Sequence, residues 1–236
     1  MIEQLKEMIC SSEKIVFFGG AGVSTESGIP DFRSVDGLYH QTYQYPPETI
    51  LSRTFFERKT KEFYEFYRDK MICLDAKPND AHKYLVSLEQ EGKLSAIVTQ
   101  NIDNLHYMAG SKIVYELHGN VHRNYCRKCH KFYDIQAMLG EGLPTCQCGG
   151  VIKPDVVLYE EGLPEIVITK AVQAIAECDM LIIAGTSLAV YPAASFIEYY
   201  RGNKLVVINK SELSLQADLV IQDAVGKVFH EVSRLN

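Results

Sequence analysis

The stretch that decides the fold is FFGGAGVSTESGIPDFRS, Phe17 to Ser34. It opens as a strand running into Gly19, Gly20 and Gly22, a loop that lets backbone N–H groups approach a pyrophosphate at a helix N-terminus. In GxGxxG register, Gly20 and Gly22 fit, but Thr25 stands where the third glycine belongs. Alone, the loop reads either as a nucleotide-phosphate cradle or as a plain strand-to-helix turn. A dehydrogenase would place an acidic residue at a second strand end about twenty positions on. Here that region reads VDGLYHQTYQYPP, with no such strand end. GIPDFRS then adds a rigid turn, the aromatic Phe32 and the guanidinium of Arg33, suited to shielding a cation and pairing with a phosphate or carboxylate.

Outward from this loop, short apolar runs rich in β-branched residues recur at 14–18, 94–99, 179–185, 204–209 and 217–221. Nearly continuous apolar character marks strands buried on both faces. Helical patterns lie between them at 52–72, 79–93 and 164–179, with Asn79 as a start signal and Gly92 as a stop. Strands alternating with helices predict an α/β fold: a Rossmann-like, doubly wound parallel sheet. Two segments break the rhythm. Residues 34–78, rich in aromatics, read as a helical insertion, and residues 124–152 as a small cysteine module. The predicted sheet domain is 1–33, 79–123 and 153–236.

The chain has 236 residues, 47% of them hydrophobic, enough for one large core with a satellite. A formal net charge of −6 argues against a nucleic-acid binder, which carries a basic domain. No run of about 18 apolar residues predicts a membrane span. The amphipathic start MIEQLKEMICSSEK lacks the basic and apolar regions of a signal peptide, so a cytoplasmic protein is expected.

IVTQNIDNLH, 97–106, ends a predicted strand in Gln100, Asn101, Asp103 and Asn104, where open parallel sheets bind ligands. These side chains suit ribose hydroxyls and a carboxamide; caps and turns favour Asn and Asp as well. His118, in YELHGN, is a candidate proton carrier beside His106, His122 and His130. Cys126-x-x-Cys129, a sixteen-residue spacer and Cys146-x-Cys148 suit one tetrahedral, closed and therefore structural zinc; a redox pair is the alternative.

The ordered set GAGVSTESGIPDFRS, TQNIDNLH, ELHGN, the four cysteines, KPDVVLYEE, GTSLAVYPA and VVIN resembles the sirtuin family of NAD-dependent protein lysine deacylases, over nearly the whole chain. The resemblance implies that NAD is a substrate cleaved at its glycosidic bond, with no hydride transfer. Nicotinamide, O-acyl-ADP-ribose and a deacylated lysine would be the products. It implies His118 and Asn101 as catalytic residues, with His118 the base and Asn101 beside Gln100 at the ribose. Ala21, Gly22 and Thr25 would line the phosphate and ribose. Phe32, Arg33, Ile102 and Asp103 would surround the nicotinamide. Thr186, Ser187 and Asn209 would hold the adenosine half, with Ala224 near the adenine. Zinc would sit on Cys126, Cys129, Cys146 and Cys148.

The resemblance also implies acylated lysine-containing peptides as partners, docking as an added strand on Val157, Tyr159 and Glu160. Glu160 stands where the family carries glycine, which predicts a preference for a lysine or arginine beside the target residue. DGLYHQTYQYPP contains no Tyr-x-x-Arg pair of the kind that binds succinyl groups in relatives, so neutral acyl groups, acetyl first, are expected. A monomer without nucleic acid is expected. A protein ADP-ribosyltransferase on the same scaffold and a non-enzymatic zinc-ribbon module are the competing readings.

Overall fold

The computed structural model describes residues 1–31 and 44–235. The strands are β1 (Ile15–Gly19), β2 (Leu94–Thr99), β3 (Val114–Glu116), β4 (Gly119–Cys126), β5 (Phe132–Tyr133), β6 (Ile152–Val156), β7 (Met180–Ala184), β8 (Lys204–Ile208) and β9 (Leu219–Ile221). Among the described residues, six strands form one sheet in the order β3-β2-β1-β7-β8-β9, every pair parallel. The order reverses between β1 and β7, so a crevice opens beyond their carboxyl ends.

The helices are α1 (Ile2–Cys10), α2 (Pro47–Ile50), α3 (Arg53–Arg58), α4 (Thr60–Lys70), α5 (Asp80–Gln90), α6 (Leu105–Ala109), α7 (Glu165–Glu177) and α8 (Val225–Ser233). Strand alternation sends Ile15 and Phe17 to one face of the sheet, against Leu5, Leu85 and Phe229 of α1, α5 and α8. Val16 and Phe18 face the other side, against Ala171 and Ile175 of α7. The sheet is thus covered on both sides, which explains its unbroken apolar runs. Asn79 caps α5 as the sequence predicts: its Oδ1 accepts from the Ala81 amide at 2.9 Å. Gly92 follows the helix at φ +74°, a left-handed position that ends it cheaply.

The predicted 52–72 helix is two helices, α3 and α4. Lys59, at φ −133° and ψ 50°, leaves the helical region and separates α3 from α4. This break lets Phe55, Phe56, Phe63, Tyr64 and Tyr67 converge on one core with Val121, Met138, Ile152, Val156 and Leu158. The helical segment and the cysteine segment, read separately in the sequence, therefore share a single hydrophobic cluster. The antiparallel sheet β5-β4-β6 forms its other wall.

Candidate active site

The glycine loop meets the end of β7 at backbone distance. The amide of Gly22 donates to the Gly185 carbonyl at 2.8 Å, and a Cβ on Gly22 would lie 2.7 Å from the Gly185 Cα. Gly185 itself has φ +57°, and a Cβ there would meet the Val23 nitrogen at 2.4 Å. Both positions require glycine, and the contact fixes the loop at the crevice. There Ala21–Val23 and Thr25–Ser27 form two short 3-10 turns rather than a regular helix.

A cavity of about 620 Å³ fills this crevice and continues to the second lobe. Ala21, Gly22 and Thr25 line it from the loop, and Gln100, Asn101, Ile102 and Asp103 from the end of β2. Thr186, Ser187 and Asn209 close one end; Val157, Tyr159 and Glu160 line the rim after β6. Ala224 is not in the wall. It caps α8 between Asp223 and Val225, which are. Phe32 and Arg33 lie outside the described residues, as does most of the stretch read for a dehydrogenase acid and for a Tyr-x-x-Arg pair.

Ser24, which sequence reasoning missed, is a hub of the polar network. It is 1% exposed, donates to Asp103 Oδ2 at 2.6 Å, and accepts from Asn101 Nδ2 at 3.1 Å. A buried hydroxyl between two motif side chains holds both rotamers. The signal was a polar residue inside the glycine loop. Burial raises the Asp103 pKa, against the opposing pull of Ser24 and the Leu105 amide. Gln100 Nε2 donates to Thr186 Oγ1 at 3.0 Å, tying β2 to β7 across β1.

His118 lines the same cavity, with Nδ1 2.9 Å from the Gln100 carbonyl oxygen. A carbonyl only accepts, so Nδ1 carries the proton and Nε2 is the ring's basic atom. Burial pushes the His118 pKa below the ordinary value, opposed by the Gln100 carbonyl, so the ring is neutral near pH 7. Gly119 follows at φ +81°, where a Cβ would fall 1.9 Å from the Asp155 carbonyl oxygen. His122 also lines the cavity. His106 does not: it is buried against His82, ring centroids 4.8 Å apart, on the α5 and α8 face of the sheet. His130 is exposed at φ +58° in the cysteine module and is not among the grouped metal donors.

The four thiols of Cys126, Cys129, Cys146 and Cys148 lie within 4.8 Å of one another, with Cys126 and Cys146 buried in the core shared with α3 and α4. The Sγ separations are 3.4 Å for Cys126–Cys148 and 3.6 Å for Cys129–Cys146. Tetrahedral zinc with bonds of about 2.3 Å places sulfurs about 3.8 Å apart, so this donor set fits it. The amides of Lys128 and Cys129 point at the Cys126 sulfur, and the Tyr133 hydroxyl donates to Cys146 at 3.0 Å. The Cys148 amide, with Tyr133, pulls the Cys146 thiol down to about 6. Thiolate is the form that binds metal.

At the rim, Glu160 holds φ +75°. Its carboxylate accepts from the Thr54 amide at 2.9 Å and from the Thr54 hydroxyl at 2.6 Å. These bonds keep it below the usual carboxylate range.

The sequence model of the Sir2 family matches residues 20–192. A Clostridium acetobutylicum protein named NAD-dependent protein deacetylase is 58% identical over 238 residues, covering 98% of this chain and 97% of the relative. Among solved structures, one described as "Sir2-p53 peptide-NAD+" is 36% identical with a TM-score of 0.87, covering 98% of this chain and 97% of that one. Another, "Sir2 bound to acetylated peptide", is 35% identical at a TM-score of 0.87, over 98% and 97%.

Proposed function

The chain belongs to the Sir2 family, and from that membership we propose that it is an NAD-dependent protein lysine deacetylase. One observation carries the reading: a neutral histidine, oriented through Nδ1, shares a cavity with the Asn101–Ser24–Asp103 network and the glycine loop. NAD is a consumed substrate, supplying an electrophilic ribose as nicotinamide leaves. Asp103 receives the nicotinamide carboxamide, and Ile102, with Phe32 and Arg33, covers that side. Gln100 and Asn101 hold the ribose hydroxyls; Ala21, Gly22 and Thr25 take the phosphates and their ribose. Thr186, Ser187 and Asn209 bind the adenosine half, with Ala224 beside the adenine through its neighbours.

His118 accepts at Nε2 the proton relayed from a ribose hydroxyl, which frees that oxygen to attack. Cys126, Cys129, Cys146 and Cys148 would hold a zinc ion through four sulfurs, and the ion would brace the lobe. The acylated peptide adds a strand to the edge at Val157, Tyr159 and Glu160. The reading extends to a monomeric, cytoplasmic enzyme built as a sheet domain, a helical insertion and a zinc module. None of the described helices is long and apolar enough to cross a bilayer.

The test is an acyl-lysine peptide panel incubated with NAD and read by mass spectrometry. The expected outcome is deacetylated peptide with O-acetyl-ADP-ribose. ADP-ribose fixed to protein, with the acetyl group left in place, would point to transferase chemistry instead. Intact NAD and intact peptide would remove the proposal.

A further inference from the structure

Glu160 is an exposed residue in a left-handed conformation that side chains rarely adopt, with φ +75°. Something must hold it there. The backbone of the preceding residue, Tyr159, is stapled to Leu51 and to Arg53 at the start of α3. The Tyr159 amide donates to the Leu51 carbonyl at 3.0 Å, and the Arg53 amide donates to the Tyr159 carbonyl at 3.0 Å. Ser52 and Tyr159 form an isolated parallel bridge. Beyond the bridge, the Glu160 carboxylate takes both donors of Thr54. Arg53 and Arg58 add a favourable field from the same helix. The neighbouring carboxylate, Glu161, is committed as well: it accepts from the Leu158 amide at 2.9 Å and pairs with Lys153 at 3.1 Å.

We propose that Glu160 is a specificity-determining residue that acts as a latch: by binding Thr54 it locks the peptide-docking edge onto α3 and withholds its negative charge from the peptide. This inference rests on the reading of 157–160 as the docking edge. It replaces the preference for a basic neighbour that the sequence alone suggested. Both Thr54 donors meet one oxygen, Oε2, at 2.6 and 2.9 Å, so swinging the side chain away from α3 toward a lysine or arginine of the peptide would break both charge-assisted bonds. The latched edge instead meets the peptide through backbone groups, which are blind to the flanking side chain.

The experiment uses three acetyl-lysine peptides that differ only in the residue after the target: Lys, Ala or Glu. The parent enzyme is expected to treat them alike, within about twofold in kcat/KM. Thr54→Val removes the 2.6 Å hydroxyl bond and leaves only the amide one; the loosened carboxylate can then swing toward the peptide, and the Lys peptide gains over the Glu peptide by about fivefold, the upper range for an exposed ion pair. Glu160→Gly unlatches the edge, so the KM of all three peptides rises by about threefold or more while the KM for NAD holds. A parent enzyme that already favours the Lys peptide, with the preference unchanged in Thr54→Val, would overturn the latch. So would Glu160→Gly with every peptide KM unchanged. Hydrogen exchange of residues 156–161 with and without peptide tests the docking edge separately. Protection there with unchanged KM values removes only the latch, and no protection removes the docking edge beneath it.

Discussion

At His118 the chain fixes one nitrogen and leaves the other to react. Because burial lowers its pKa, the neutral, basic form persists to lower pH than for a free imidazole. The acidic limb of kcat/KM, set by loss of the base, should therefore have its midpoint below about 6.5. A pH profile with that limb above 6.5 would contradict the assignment. His118→Ala should lower deacetylation by on the order of 100-fold or more while leaving NAD affinity, measured by calorimetry, nearly intact. Residue chemistry alone left the histidine as one of four candidates and the family resemblance singled out His118, but nothing in ELHGN specifies which ring nitrogen meets the Gln100 carbonyl. Ser24 was not legible at all as a hub. Its role depends on Asp103 and Asn101, 79 and 77 residues away in sequence.

Between elements, the contact of the glycine loop with the end of β7 is a tight constraint. Gly185→Ala combines a left-handed φ with a 2.4 Å backbone approach. It should cost about 3 kcal/mol in urea denaturation. A second prediction concerns the joint between α5 and α6. His82 and His106 are buried and neutral; burial takes His82 to about 4 and His106 well below its ordinary value. Unfolding exposes both rings, which then take up protons below about 6.5, so the folded state loses stability as pH falls from 6.5 toward 4. For His82 alone the loss reaches about 3 kcal/mol at the acid end. Denaturation midpoints at pH 7.5 and 5.0 measure it, and a higher midpoint at pH 5.0 would reverse the sign.

The elements that sequence periodicity found were those whose burial is two-sided, such as β1, β2 and β7. It missed the break at Lys59 and the strands β4 and β6. Residues along β4 alternate between module core, polar network and solvent, so no single period survives.

In the whole molecule, two cores flank the parallel sheet and a third fills the lobe built from α2, α3, α4 and the β4 sheet. Cys126 and Cys146 belong to that third core. Removing zinc with a chelator, or Cys126→Ala, should release the lobe while sparing the sheet. Hydrogen exchange should then show lost protection in α4, β4 and β6, with β1, β2, β7 and β8 still protected. Uniform loss in both regions would mean that lobe and sheet unfold as one unit.

The shared core also limits how this protein can be rebuilt. Transplanting residues 124–152 into another scaffold would carry over all four sulfurs but leave behind the aromatic bed of Phe56, Phe63, Tyr64 and Tyr67 on which they rest. A portable cassette must take in the helices from Pro47 to Lys70 as well, so two segments well apart in sequence have to be moved together or not at all.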